Sequence, residues 1–243
     1  MTKISIIIPV LNEAKTIKQV LANLESASNI EIIVVDGGSQ DETVEIVKSL
    51  GIKILSTPPG RAMQMNAGAA IATGDILLFL HADTLLPANF DRLIRQTLFN
   101  YAIENLHSQV GTWERGNSEN PIAGAFELAI DAEIAGIRLV EKMVNWRSHF
   151  FSLPYGDQAI FLKADVFRDM GGFPEIPIME DFVFIRHLKK LGKIAIVNVP
   201  VITSGRRWQK LGIFKTTYIN QMMIIGYFLG ISPVKLARFY RRK

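Results

Sequence analysis

Apolar and polar positions alternate in two different periods along the first 85 residues. Positions 4–10 (Ile-Ser-Ile-Ile-Ile-Pro-Val) are nearly all apolar and β-branched, which predicts a strand. Ile17, Val20, Leu21 and Leu24 then recur at helical spacing and predict a helix over 13–24. The pair repeats. A strand is expected over 31–36, followed by a helix that the capping-box pattern Ser39-Gln-Asp-Glu42 starts and Gly51 ends. A short strand over 53–56, a helix over 61–71 behind Pro58-Pro59-Gly60, and a strand over 75–80 complete the series. The last run, Asp75-Ile-Leu-Leu-Phe-Leu, lacks alternation, as suits a strand covered on both faces of a parallel sheet. Strand and helix in turn predict an α/β fold: a right-handed, mostly parallel sheet with helices on both faces.

The second half is less regular. Helices are expected over 89–100, 164–170 and 180–191, and strands over 110–115, 159–163 and 193–199. Residues 122–146 are mostly helical in pattern, interrupted by Gly124 and Gly136. Neither repeat nor linker is visible, which predicts one domain over 1–207, in halves 1–85 and 86–207, and an appendage over 208–243. Within the appendage, 218–231 is strongly apolar. As a helix it would be roughly 21 Å long, short of the roughly 30 Å of a bilayer's hydrocarbon, and it carries Asn220 and Gln221. Two readings stay open: a helix lying in a membrane interface on Tyr218, Tyr227 and Phe228, or one packed on the domain or a second subunit.

Composition narrows the class. An apolar fraction of 49% excludes a disordered chain. The absence of cysteine removes disulfides, zinc–thiolate sites and thiol nucleophiles and favours a reducing compartment. With no secretory leader pattern at the start, a cytoplasmic location is expected, at the inner face of a membrane. The net charge of +4 gives no reason to expect nucleic acid, but it is uneven. Arg206, Arg207, Lys210 and Lys215 precede the apolar segment, and Lys235, Arg238, Arg241, Arg242 and Lys243 follow it. This suggests an anionic surface near the C-terminus, with peripheral membrane contact through 213–243, or else a solvated tail that aids solubility. The oligomeric state is left open.

Ligands of parallel sheets bind beyond the carboxyl ends of the strands. His81 and Asp83 sit at such an end. If the segment is extended, their side chains share one side, and an imidazole and a carboxylate together suit a divalent cation; alternatively Asp83 is only a loop carboxylate that caps the next helix. The first strand ends Pro9-Val-Leu-Asn12-Glu13, without the glycine-rich turn of a dinucleotide- or S-adenosylmethionine-binding site. The second ends Asp36-Gly37-Gly38-Ser39. Asp36 offers an acceptor for a base N–H or a ribose hydroxyl, and the glycines allow close approach; alternatively Asp36 and Asp41 only end a strand and cap a helix. Glu180-Asp181, at a helix start, suits a general base. His107, His149 and His187 lack a partner at metal spacing and are read as structural or exposed.

Taken in order, these pieces resemble the family 2 glycosyltransferases over roughly residues 1–205. Ser5-Ile-Ile-Ile-Pro-Val-Leu-Asn-Glu13 looks like the family's opening strand, and Val34-Val-Asp-Gly-Gly-Ser-Gln-Asp-Glu-Thr43 like its nucleotide-contacting second strand. Arg61-Ala-Met-Gln-Met-Asn-Ala-Gly68 and Gly74-Asp75 match the helix and the approach to the metal strand. His81-Ala-Asp83 stands where the family carries Asp-x-Asp, and Glu180-Asp181 where it carries the pair holding the base. Arg147-Ser148, Pro154-Tyr-Gly-Asp-Gln158, Gly171-Gly-Phe-Pro174 and Met179-Glu-Asp181 look like a small bacterial subgroup of uncharacterised transferases.

The resemblance implies a GT-A type, Rossmann-like sheet with a nucleotide-sugar half (1–85) and an acceptor half (86–207). It implies inverting transfer of a hexose from a nucleotide-diphosphate donor to a hydroxyl. Asp181 would be the base and Glu180 its support. Asp36 and Glu13 would hold base and ribose, with Pro9, Asn12, Gly38 and Ala82 lining the donor. Arg61 would reach the diphosphate. Gln64 and Asn66 would touch the donor or only hold the loop. Gly156 and Asp157 would border the acceptor. Arg206-Arg207-Trp208 would add cation and stacking contacts, with Arg207 and Trp208 on the acceptor side. Asp83 would ligate Mn²⁺ or Mg²⁺ directly and His81 second, so activity would fall below about pH 6.5 as imidazole protonates. The basic, apolar C-terminus points to a lipid-linked acceptor. Three alternatives remain: a non-catalytic nucleotide-sugar sensor or scaffold; a nucleotidyltransferase, which would want a glycine-rich loop and a basic residue after the first strand; and a membrane-interaction protein in which the C-terminal helix dominates.

Overall fold

A computed structural model describes residues 2–99 and 120–241. The first half follows its periodicity: β1 (Ile4–Val10), α1 (Ile17–Asn23), β2 (Ile30–Asp36), α2 (Thr43–Ser49), β3 (Lys53–Ser56), α3 (Arg61–Ile71) and β4 (Ile76–Phe79). Then come β5 (Thr84–Leu85), α4 (Phe90–Phe99), β6 (Ala123–Asp131), α5 (Ile137–Phe151), β7 (Phe161–Lys163), α6 (Ala164–Asp169), α7 (Glu180–Leu191) and β8 (Ile194–Ser204). The last helices are α8 (Arg206–Leu211), α9 (Ile213–Phe228) and α10 (Pro233–Arg241).

The strands form one sheet in the order β3-β2-β1-β4-β7-β6-β8-β5. The expected parallel ladder holds from β3 to β4. Beyond β4 the sheet is mixed: β7 runs antiparallel to both β4 and β6, β6 is parallel to β8, and β5 is antiparallel to β8. Successive strand residues point to opposite faces, so Ile4, Ile6, Ile8 and Leu78 pack into one core while Ile7, Ile33, Leu77 and Phe79 pack into another. All four residues of β4 are buried, which is why its sequence shows no alternation. The first core includes residues of α1 and α4, and the second residues of α3 and α7.

Several expectations are corrected. Residues 122–146 are not one helix: Ala123–Asp131 is a strand, and Gly136, in the left-handed region at φ 90°, starts α5. Tertiary packing overrides the helical leaning of Ala and Leu here. A Cβ on Gly124 would stand 2.4 Å from the Phe161 ring, so only a bare backbone fits beside β7. The helix expected over 13–24 begins only at Ile17, and the capping box at 39–42 does not form. Instead the Ser39 hydroxyl accepts the Asn12 N–H (2.9 Å) and the Thr43 hydroxyl accepts the Glu13 N–H (2.8 Å), tying the two loops together. The last strand runs on to Ser204. The strand expected over 110–115 lies outside the described residues.

In the appendage, α9 buries Thr216, Ile219, Met223 and Gly226, so one face packs on the protein. Among the described residues no helix is long and apolar enough to cross a membrane. Because the Phe161 ring fills the space above Gly124, Gly124→Ala should destabilise the chain by about 2 kcal/mol. A urea midpoint equal to that of the parent would contradict this packing.

Candidate active site at the strand ends

The loops after β1 and β2 are held by their own polar side chains. Asn12 sits in the left-handed region at φ 56°, and its side-chain oxygen accepts the Gln40 N–H at 2.8 Å. Asp36 is 4% exposed, and its carboxylate accepts the Gly38 N–H at 2.9 Å and the Ser39 N–H at 3.1 Å. It therefore holds the glycine turn, whatever else it binds. Pro9 lies in β1 opposite Val35, and Ala82 is buried. Gln64 donates to the carbonyls of Val10 and Val35, 2.8 Å each, across the gap where β1 and β2 part. Asn66 pairs with both backbone groups of Phe173, at 2.9 and 2.8 Å. Of the two readings for Gln64 and Asn66, these contacts are those of a brace.

His81-Ala82-Asp83 is not extended. The strand stops at Phe79, and the Thr84 N–H turns back to the His81 carbonyl at 3.2 Å. Burial and the Arg61 cation push the His81 imidazole down to about 3. A lowered pKa favours the neutral imidazole, the form that can ligate a metal. The Asp83 carboxylate accepts one Arg206 N–H at 2.9 Å, and the same guanidinium nitrogen reaches Glu13 at 2.9 Å. These hydrogen bonds, with Asp83 foremost, raise the Arg206 pKa.

Across from this turn, α7 begins after Met179, itself left-handed at φ 67°. The Asp181 carboxylate accepts the Gly156 N–H at 2.8 Å with one oxygen and the Phe182 N–H at 2.7 Å with the other. A Cβ on residue 156 would stand 3.0 Å from His81 Nε2 and 3.2 Å from Asp181 Oδ2. Glycine there lets the imidazole and the carboxylate converge on one point. Glu180 is 5% exposed, with Arg61 at 3.4 Å; burial and the Asp181 charge raise its pKa.

Sequence reasoning gave no role to Arg147, Ser148, Tyr155 or Gln158, though it singled out the segments that hold them. The Arg147 guanidinium lies 3.6 Å over the Tyr155 ring and donates to the Leu153 carbonyl at 3.1 Å. Ser148 donates to Gln158 Oε1 (2.9 Å), and the Gln158 amide to the Phe126 carbonyl (2.8 Å). This network shapes the turn that presents Gly156. Asp157 lies within it. Burial pushes its carboxyl up to about 6 despite the Arg147 cation, and its buried Oδ1 has no hydrogen-bond partner.

Contacts thus run from Asp36 through Ser39 and Asn12 to Glu13, Arg206 and Asp83, and, two residues before Asp83, from His81 across Gly156 to Asp181. Arg207 and Trp208 point elsewhere. Arg207 stacks on Tyr240 at 4.1 Å, and Trp208 packs against the core. Consecutive helical residues are about 100° apart around the axis, so Arg206 faces the strand ends while its neighbours do not. His149 pairs with Glu127 at 2.8 Å.

Among the described residues no cluster of three metal-ligating side chains exists. One carboxylate and one neutral imidazole do suit a cation that arrives with phosphate, since such ions take one or two protein ligands and complete their shell from phosphate and water.

Comparison with known proteins agrees with this geometry. Residues 5–116 match the profile described as "Glycosyl transferase family 2". A PGL/p-HBAD biosynthesis glycosyltransferase of Mycobacterium bovis is 40% identical over 91 residues, 34% of this chain and 36% of that protein. The chain therefore matches only about a third of that relative's length. Among solved structures, S. aureus TarS 1-349 in complex with UDP superposes with a TM-score of 0.63 at 17% identity, covering 83% of this chain and 60% of that one. Glucosyl-3-phosphoglycerate synthase from Mycobacterium tuberculosis, in complex with Mn²⁺, UDP and glucosyl-3-phosphoglycerate, gives 0.55 at 20% identity, covering 84% and 70%. The sheet order, the acidic strand ends and the matched profile agree: over residues 5–116, a little under half of its length, this chain is similar to glycosyl transferase family 2.

Proposed function

We propose that the chain transfers a sugar from a nucleoside-diphosphate sugar to an acceptor hydroxyl, with inversion at C1. The observation that carries this reading is the convergence of Asp181 and His81 on Gly156, beside Asp83 and Glu13 joined by Arg206. Residues 1–85 would form the donor half and 86–207 the acceptor half.

Asp181 takes the acceptor proton. Its two backbone hydrogen bonds fix the carboxylate, leaving lone pairs for an incoming hydroxyl. The acceptor oxygen forms its bond to C1 as the C1–O bond to the diphosphate breaks, and the nucleoside diphosphate departs with the electron pair. Arg61 and Arg206 supply positive charge to that leaving group. Glu180, held beside Arg61, orients it. Asp36 and the Asn12–Glu13 loop hold the nucleoside, and Asp157 lies on the acceptor side. Asp83 and His81 would hold a Mn²⁺ or Mg²⁺ ion, which as a Lewis acid would stabilise the diphosphate charge. For that ion Asp83 has to share its oxygens between Arg206 and metal. The UDP and Mn²⁺ bound by the structural neighbours are consistent with this reading. A lipid-linked acceptor and a station at the inner membrane face belong to the same proposal, motivated by the basic, apolar C-terminus.

Asp181→Asn should lower turnover by about a thousandfold while calorimetry finds donor binding nearly unchanged; lost donor binding at unchanged turnover per bound donor would overturn the assignment. With excess EDTA, transfer from a panel of nucleotide sugars should collapse and return on adding Mn²⁺. Full activity in chelator removes the cation from the proposal, and binding without transfer or hydrolysis favours the sensor reading.

Asp157 makes a stability prediction. An aspartate titrates near 4 when unfolded, and this one at about 6 when folded. Between those values the folded chain keeps a proton that the unfolded chain has released, so the contribution to stability falls as pH rises through that window and stays low above it. Asp157→Asn should therefore be more stable than the parent near pH 7.5, on the order of 2 kcal/mol, and equal to it near pH 4. A difference in urea midpoint independent of pH would refute this.

A further inference from the structure

The outer face of α5 was given no role by the sequence and has none in the transfer chemistry. Leu139, Met143, Trp146 and Phe150 recur at spacings of four, three and four, on one side of the helix. They are 63%, 56%, 61% and 70% exposed. At its end Trp146 stacks on Phe150 (5.4 Å), and Phe151 meets both edge-on. The inner face, with Ile137, Glu141 and Ser148, is buried. Glu141, the one acid of α5, is held by Arg138 and the Ile130 N–H, while Lys142 is exposed beside the stripe.

On α9, Phe214, Tyr218, Ile225 and Phe228 form a second exposed apolar stripe. The two helices start against one another and finish along the same helix, α7. At their starts, a Cβ on Gly136 would touch the Ile213 side chain at 3.4 Å. At their finishes both meet one stripe of α7: Phe182 and Arg186 contact Tyr227 and Phe228, and Lys189 donates to the Phe151 carbonyl. The two helices, about 22 and 24 Å long, thus share neighbours at both ends.

We propose that α5 and α9 together form one docking face for an anionic lipid bilayer, seated by the aromatic stripe of α5 as well as by the basic C-terminal helices. Charge selects this occupant. After Asp181 the chain has no Asp or Glu through Lys243, while Lys and Arg recur throughout. Lys142, Lys189, Lys190, Lys215 and Lys235 are all exposed. Apolar stripes rimmed by cations fit an anionic interface. A second copy would meet the same face in self-complementary fashion and set cation against cation. Phe182, next to Asp181, contacts Tyr155, Tyr227 and Phe228, so the face adjoins the candidate base. This deepens the transfer reading by giving its acceptor a lipid phase, and only that clause rests on it, because docking is measured without donor.

Flotation of the full chain with phosphatidylglycerol/phosphatidylcholine vesicles should show binding that weakens with salt and on phosphatidylcholine alone. Trp146→Ala with Phe150→Ala should reduce partition at least about tenfold at unchanged circular dichroism. In case that pair misfolds, a chain keeping Trp146 as its one tryptophan (Trp113→Phe, Trp208→Phe) should be quenched by brominated acyl chains. No binding to the anionic vesicles, binding with Trp146 unquenched, or a sedimentation dimer that the Trp146/Phe150 pair dissolves would each overturn the proposal. Donor hydrolysis without vesicle binding would sink the docking face and leave the transferase; vesicle binding without hydrolysis would do the reverse.

Discussion

The site depends on one guanidinium. Arg206 holds Glu13 and Asp83, residues far apart in sequence, at 2.9 Å each. Without a cation between them two carboxylates at neighbouring strand ends would repel, and each would lose part of its hydration. With it, the loop after β1, the turn after β4 and the start of α8 become one unit. The contact is half-exposed, so its worth in stability is small, but it fixes geometry. It also places a positive charge where the proposed reaction develops a negative one, and makes Arg206 rather than Arg207 or Trp208 the member of that triplet facing the chemistry.

The opposite wall depends on a missing side chain. Gly156 lets His81 and Asp181 approach one point, and the Arg147–Tyr155–Gln158–Ser148 network holds that turn. Buried polar groups are expensive unless hydrogen-bonded. Gln158 satisfies this rule, whereas Asp157 meets it only in part and retains its proton to about 6. The strain of an under-satisfied carboxyl beside the proposed base is typical of functional sites, where stability is given up for chemistry.

The α/β alternation of the first half was legible because it is local: period-two and 3.6-residue patterns report which face of an element is buried, whatever it is buried against. That Asp36, Asp83, Glu180 and Asp181 stand at or just beyond element boundaries was legible for a related reason, since polar residues interrupt the apolar pattern there. The β6 strand was not legible. Ala123, Gly124 and Ala125 lean towards a helix or nothing in particular, and only the Phe161 ring and the ladder to β8 make them a strand.

By itself, then, the sequence determined the parallel half of the sheet, the acidic strand ends and the family resemblance, because each is written in neighbouring residues. Tertiary structure alone decided that His81 turns towards Asp181 and stays neutral, that Gln64 and Asn66 brace the loops, that Arg206 spans two carboxylates, and that α5 shows aromatic residues to solvent. Each of those depends on a partner distant along the chain and on the local polarity that burial creates. Neither quantity is encoded in spacing.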